Sequence, residues 1–295
     1  MAFQQKSISD LVRQACRLEV LATKPGNVSP AHSFNNANVD DFLKSADAIS
    51  PILQSAANGP LGKSILDAIV ATQQAVGHNT NLGIVLLLAP LCAVTDWSAA
   101  RSQLQDIITG TTIQDAQWLY EAIRIATPGG LGSSSDQDVA GAPTMTLLQC
   151  MQLAADRDSI ASQYSTSYEF VFETGLDLLQ QTSNWTSHRE SRLGWLAVQI
   201  LAQQSDSLIV RKCGQHTANA AQELAKKTVL AGWPFESNGQ IAYNQLHQFL
   251  SDEGHRRNPG TTADLIAAIL FCGLRSEIIA CDISETSMQF TKRKS

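Results

Sequence analysis

The sequence predicts an all-α fold, a single many-helix globular domain. Apolar residues recur at i, i+3 and i+4 spacing through most of the chain. Alternation of period two, the mark of a half-buried strand, is rare. Gly, Pro and Asn gather in a few short loops between long Ala- and Leu-rich stretches.

The elements follow in order. Ile8, Leu11, Val12, Ala15, Cys16, Leu18 and Leu21 form a first helical stripe, with Ser7 or Ser9 as cap. Phe42, Ala46, Ile49 and Leu53 make a second, and Ile65, Ala68, Ile69, Thr72 and Val76 a third. Leu82 to Val94 is apolar all round, as a central helix must be. Trp118, Ala122 and Ile125 continue the pattern, followed by Ile160 to Leu179, Leu193 to Leu201, Ala218 to Leu230, Ile241 to Leu250 and Leu265 to Ile279. About a dozen helices result. No internal repeat or Ser/Pro-rich linker divides residues 1–295, although a soft boundary near 182–190 is compatible with the pattern.

Composition narrows the function. A chain of 295 residues with net charge −6 lacks the basic face of a general nucleic-acid binder. The longest apolar run, Leu82 to Val94, contains Pro90 and is short of a membrane span. Six scattered cysteines without a CxxC pair point to a reduced, cytoplasmic protein.

Polar loops carry the functional signal. In Gly77-His78-Asn79-Thr80-Asn81-Leu82-Gly83, two amide side chains and a hydroxyl sit between glycines at the mouth of an apolar helix. Such a loop suits a ligand approached closely by backbone. Lys24-Pro25-Gly26-Asn27-Val28 offers a mobile cation on a stiffened loop, with Glu19 about a turn earlier. Its plainer reading is a helix stop, with Lys near the C-terminal dipole. The loop Pro128 to Val139 carries Asp136 and Asp138, which suit Mg²⁺ ligation or, equally, capping of the next helix. Asp206 to Gly214 joins an acid to Arg211 and Lys212, as a nucleotide site or as an N-cap with cations at the helix end. Asn258-Pro259-Gly260-Thr261 opens the last helix; Thr261 and Asp264 have the spacing of a capping box, and Arg256, Arg257 and Gly260 ahead of the helix start also suit an anion. Asn58 to Ser64 fails as a Walker A loop because Ala57 stands where the first glycine is required. Histidine spacing gives no zinc site.

Taken in order, four loops resemble the triphosphoribosyl-dephospho-CoA synthase family. KPGNV (Lys24 to Val28), GHNTNLG (Gly77 to Gly83), DSLIVRKCG (Asp206 to Gly214) and NPGTTADL (Asn258 to Leu265) are similar to that family's KPG(L/N)V, GVNTHKG, D(S/T)x(L/I)xxxxG and NxSPGGxADL. The resemblance implies an all-helical enzyme that moves a triphosphoribosyl group from ATP to the 2′-hydroxyl of dephospho-CoA and releases adenine. It implies ATP as substrate, Mg²⁺ on the triphosphate, catalytic acids among Glu19, Asp206 and Asp264, and metal held by acids such as Glu19, Asp136 and Asp206. Lys24, Arg211 and Lys212 would face phosphates. Asn79, Thr80 and Asn81 would touch ribose, base or phosphate, with Gly26, Asn27, Gly83, Asn258, Gly260 and Thr261 completing the binding loops. Small-molecule nucleotides are then the expected partners, and a homo-oligomer is left open.

Departures mark a divergent branch. Leu82 stands where the family usually has lysine, Gly260-Thr261-Thr262 replaces a Gly-Gly pair, Ser29 to Phe34 replaces a GAHxDM-type segment, and no GVRGE-like segment follows. Branch members of this type resemble proteins of one-carbon carrier pathways using methanopterin- or methanofuran-like cofactors. A different acceptor is therefore the alternative, and a non-catalytic nucleotide-binding protein a third.

Overall fold

The computed structural model describes residues 6–30, 38–280 and 289–290. The Ala31 to Phe34 departure and Cys281 lie outside the described residues. Fourteen α-helices are present among them: α1 (Ile8–Leu21), α2 (Val39–Leu53), α3 (Leu61–Val76), α4 (Leu82–Ala93), α5 (Ala100–Thr109), α6 (Ile113–Ala126), α7 (Leu147–Ala154), α8 (Ser159–Ser165), α9 (Leu176–Gln181), α10 (Arg192–Gln203), α11 (Ser207–Cys213), α12 (Gln215–Leu230), α13 (Ser237–His255) and α14 (Gly260–Arg275). The only sheet among the described residues is a two-residue antiparallel pair, β1 (Ile279–Ala280) with β2 (Gln289–Phe290). The all-α expectation holds.

Local chemistry sets the boundaries. Ser7 caps α1, its side chain accepting the Asp10 N–H. Reciprocal capping boxes start α2 (Asn38 with Asp41) and α6 (Thr112 with Asp115). The Asn58 to Ser64 segment starts α3 and lies away from the cleft described below; Gly62 donates its N–H to Asp115 at 2.8 Å, and Lys63 pairs with Asp67.

Apart from Gly83, every residue of α4 is buried, and α14, α3 and α2 pack around it. Each fully buried leucine, such as Leu87, Leu88 or Leu91, contributes about 2 kcal/mol from burial alone. Pro90 has no N–H for the Leu86 carbonyl, one helical turn earlier. Two tyrosines repair this region: Tyr164 Oη donates to Leu86 O at 2.6 Å, and Tyr168 Oη to Leu87 O at 3.0 Å. Positioning them breaks the predicted Ile160 to Leu179 helix. The chain leaves α8 through positive φ at Ser167 and Tyr168, then makes a π-helical turn at Phe170–Gly175 before α9. Tertiary satisfaction of a broken helix thus overrides local periodicity. The last predicted helix is also shorter than expected: α14 stops at Arg275, and Ile279 enters β1.

The apolar interior divides in two. A large cluster surrounds α4 and α14, while a smaller one joins Val198, Leu201, Ile209, Ala218, Leu246 and Leu250 across α10 to α13. Helix α10 supplies residues to both. No single helix among the described residues is long and apolar enough to cross a membrane.

Candidate active site

A cleft of about 1280 Å³ collects parts of all the polar loops singled out in the sequence. Three walls follow from the helices that build them.

The first wall is acidic and amide-rich. It comprises Glu19 from α1, Asn27, the turn from His78 to Gly83 ahead of α4, and the first turn of α14. Asn79 Oδ1 accepts the Leu82 N–H at 3.1 Å, and Thr80 Oγ1 shares a 2.6 Å hydrogen bond with Ser45. Asn81 is 4% exposed; its Oδ1 accepts from Thr72 Oγ1 at 3.0 Å, while its Nδ2 has no partner among the described residues. Asn81 makes no capping bond, so it leaves the Gly83 and Ile84 N–H groups uncapped.

Asp264 is the central finding. The Thr261–Asp264 capping box expected from the sequence is not formed. Helix α14 starts at Gly260 after Pro259 without a side-chain cap. Thr261 instead shares a 3.0 Å hydrogen bond with Ser207. The Asp264 carboxylate opens on the cleft. A Cβ on residue 83 would collide with its Oδ2, so any larger residue there would have to displace the carboxyl group. Burial pushes the Asp264 carboxyl well above its ordinary range, and the negative charges of Glu19, Asp206 and Asp158 push it further, against Arg211. Glu19 is also raised by burial, opposed by Lys24.

The second wall is cationic. Arg211 Nη1 pairs with Asp158 Oδ2 at 3.1 Å and leaves its Nε without a partner. Lys212 Nζ donates to Asn258 Oδ1 at 3.1 Å; burial and the neighbouring Arg211 lower its affinity for a proton. Arg157, Arg256 and Gly260 line the same region. The chain passes close enough over this wall that a Cβ on Gly129 would meet Lys212 Cε at 3.0 Å.

The third wall is apolar: α6, α7 and the loop between them supply Leu119, Tyr120, Ile123, Val139 and Met151. Tyr120 Oη donates to Gln137 O at 2.6 Å, and Arg124 donates to Val139 O at 2.7 Å, which ties the loop to α6.

Several expected site residues point elsewhere. Lys24 is not a mobile cation. It is 2% exposed and pairs with Glu19 at 3.1 Å. It also donates to the backbone carbonyls of Glu19 and Ala22 at the end of α1, as the helix-stop reading has it. Gly26, at φ +68°, packs where any Cβ would collide with Leu250, and donates its N–H to His247. Asn27 reaches the Pro259 carbonyl at 3.4 Å and so ties the first loop to the last. Asp206 is the N-cap of α11, accepting from the Leu208 and Ile209 amides. Its other oxygen accepts from Thr262 N at 2.7 Å and Thr262 Oγ1 at 2.8 Å. It latches α11 to α14 and does not line the cleft.

Nor are Glu19, Asp136 and Asp206 assembled as a metal set. Among the described residues no group of three or more His, Cys, Asp or Glu side chains is placed to hold an ion. Asp136 lies outside the cleft lining, while Asp138 accepts the Ser134 and Ala140 amides and closes its own loop. Those two bonds hold its carboxyl below the ordinary range. The next helix is capped by Thr146 instead.

This constellation meets an independent finding. The family model of ATP:dephospho-CoA triphosphoribosyl transferase matches residues 5–281. The chain belongs to that family. The family's reaction moves a triphosphoribosyl group between ATP and dephospho-CoA, and the chain is a transferase of this kind. A crystal structure from Archaeoglobus fulgidus, described as a candidate triphosphoribosyl-dephospho-CoA synthase, has a TM-score of 0.61 at 23% identity. The match covers 79% of this chain and 98% of that one, and it shows the fold. No curated protein matches the chain.

Within the transferase cleft, sequence reasoning missed Asp158, Arg157 and the apolar side chains of α6 and α7. Asp158 had a legible signal: an Asp-Ser step ahead of an apolar run is an N-cap pattern, and Asp158 caps α8. The apolar wall had none, because Leu119 or Met151 reads as core until the cleft beside it is seen.

Proposed function

We propose that this chain transfers the triphosphoribosyl group of ATP to the 2′-hydroxyl of a dephospho-CoA-like alcohol, with release of adenine. The observation that carries this reading is Asp264: a carboxyl group held without a hydrogen bond among the described residues, in a cleft that also presents Arg211 and Lys212. Single small-molecule sites span roughly 300–1,000 Å³, and a cleft of about 1280 Å³ has room for two nucleotides.

The chemistry balances within that cleft. The hydroxyl oxygen bonds to ribose C1, the C1–N bond to adenine breaks, and adenine leaves with the bonding pair. The hydroxyl proton passes to Asp264, whose raised proton affinity suits a general base, and the departing adenine takes up a proton. Positive charge develops on the ribose, and the Asp264 and Glu19 side chains lie on the wall able to stabilise it. Arg211 and Lys212 neutralise phosphate charge. The donor set does not make a protein cage for Mg²⁺. An ion carried on the triphosphate would keep several of its waters and leave Asp264 to act as the base. Such an ion would offset the phosphate charge.

The test is incubation of the folded protein with ATP, dephospho-CoA and Mg²⁺, with chromatography for free adenine. Adenine release and a product heavier by one triphosphoribosyl group are expected; a folded protein that releases none would refute the reading.

A second reading keeps the site and changes the acceptor. Leu82, where the resembling family usually has lysine, lines the cleft beside Asn81, so an apolar contact replaces a charged one. An acceptor from one-carbon carrier cofactor synthesis suits that change. A panel of acceptors with product masses separates the two.

A further inference from the structure

Contacts join the three walls of the cleft. Gly83 brings α4 against Asp264 of α14 at the acidic end. Asn258, six residues before Asp264, takes the hydrogen bond of Lys212. Lys212 and Arg211 in turn touch Gly129 and Gly130, which begin the loop tied to α6 through Tyr120 and Arg124. The cations therefore adjoin both the start of α14 and the α6–α7 loop, and one path runs from acid through cation to apolar surface.

We infer that the acceptor lies along this order, with its reacting ribose at Asp264, its diphosphate at Arg211 and Lys212, and an extended uncharged tail against Ile123, Leu131, Val139 and Met151. This rests on the transferase reading above and adds the orientation of one substrate and the residues that select for its tail. Dephospho-CoA carries the same three chemistries in the same order: a ribose hydroxyl, a diphosphate, then a flexible chain of amides and methylenes ending in a thiol. Leu131 is 43% exposed although it lines the cleft, and Ile123 and Val139 are half-buried there. An unreacting tail bound this way contributes affinity and discrimination, and the chemical step is carried out elsewhere in the cleft.

The roles of these residues are separable from catalysis. Leu131→Asp, on an exposed loop, and Ile123→Asn, on a half-buried face, are the two variants. Binding of dephospho-CoA and of adenosine 5′-diphosphate, which lacks the tail, is measured by calorimetry on each folded variant. Turnover is followed by adenine release. Wild type is expected to bind dephospho-CoA more tightly than the diphosphate. Each variant should weaken dephospho-CoA by about tenfold, as loss of one well-packed aliphatic contact does. Binding of the diphosphate and KM for ATP should stay within about twofold. Equal loss for both ligands, or no loss for dephospho-CoA in either variant, overturns the tail assignment. If wild type discriminates by the tail and the variants do not, yet no adenine is ever released, the tail site stands and the transfer reaction falls.

Discussion

The turn at residues 24–28 and the turn at residues 77–83 share a chemistry of glycine, asparagine and polar side chains, and the fold uses them in opposite ways. In the first turn nearly every polar group is satisfied. Lys24 is consumed by Glu19 and two carbonyls, Gly26 by Leu250 and His247, and Asn27 by Pro259 and Val28. The second turn is left incomplete: Asn81 keeps an amide nitrogen without a partner among the described residues, α4 starts without a cap from Asn81, and Gly83 holds space for the Asp264 carboxylate. The same contrast divides the two acids of the α11–α14 junction. Asp206 accepts four hydrogen bonds and Asp264 none among the described residues. Motif residues around a cleft thus serve either the wall or the ligand, and unmet hydrogen-bonding capacity tells which.

Five substitutions sharpen that contrast. Lys24→Met should be the most damaging to the fold. It strands Glu19 in the interior, at a cost of about 3 kcal/mol in urea unfolding. A loss of activity without loss of stability would return Lys24 to the cleft.

Asp264→Asn should act in the reverse sense. Its kcat/KM should fall by about 100-fold or more, as loss of a general base does, while the protein becomes more stable at pH 8. The sign follows from the raised carboxyl. Between the ordinary carboxylate pKa of about 4 and the raised native value, the folded state binds more protons than the unfolded one, so wild-type stability falls as pH rises through that window. Asparagine carries no such penalty. The gain in Tm should therefore be largest at pH 8 and small at pH 4; a gain that does not change with pH would show that desolvated charge is not its source.

Gly26→Ala should cost about 2 kcal/mol, because it adds a Cβ at positive φ against Leu250. Gly83→Ala is its partner test: crowding of Asp264 should reduce kcat more than it changes the unfolding midpoint. Equal behaviour of the two glycines would erase the distinction between the turns.

Asn81→Ala should be the mildest. Thr72 retains the Ala68 carbonyl, so stability should change by less than about 1 kcal/mol, while KM rises roughly tenfold through loss of a substrate hydrogen bond. Substrate titrations on the purified variant measure both.

Much of this was legible before any coordinates. Periodicity located α1, α2, α3, α4, α10, α12 and most of α14, because one-sided or complete burial writes a repeat into the sequence. Helices α5 and α7 escaped notice, and the break between α8 and α9 was unreadable. That break lets Tyr164 and Tyr168 reach the Leu86 carbonyl freed by Pro90, a need that arises about 80 residues away.

The four loops were legible as a set, and their order along the chain pointed to the right family. Their division of labour was not. Lys24 and Asp206 carry charges that suit a nucleotide, and nothing adjacent to them in sequence says that Glu19 and Thr262 will satisfy those charges. Asp264 lay at capping-box spacing from Thr261, and only the approach of Ser207 and Gly83 shows why the box does not close.

By itself, then, the sequence determined the helical class, most helices of the core and the family, because these depend on spacing and residue type along one strand of chain. The tertiary structure decided which acid is left for the ligand, where the cations stand and how the apolar wall completes the cleft. Hydrogen bonds and desolvation act between residues far apart in sequence, and a polar group becomes available for chemistry only when the fold leaves it unsatisfied.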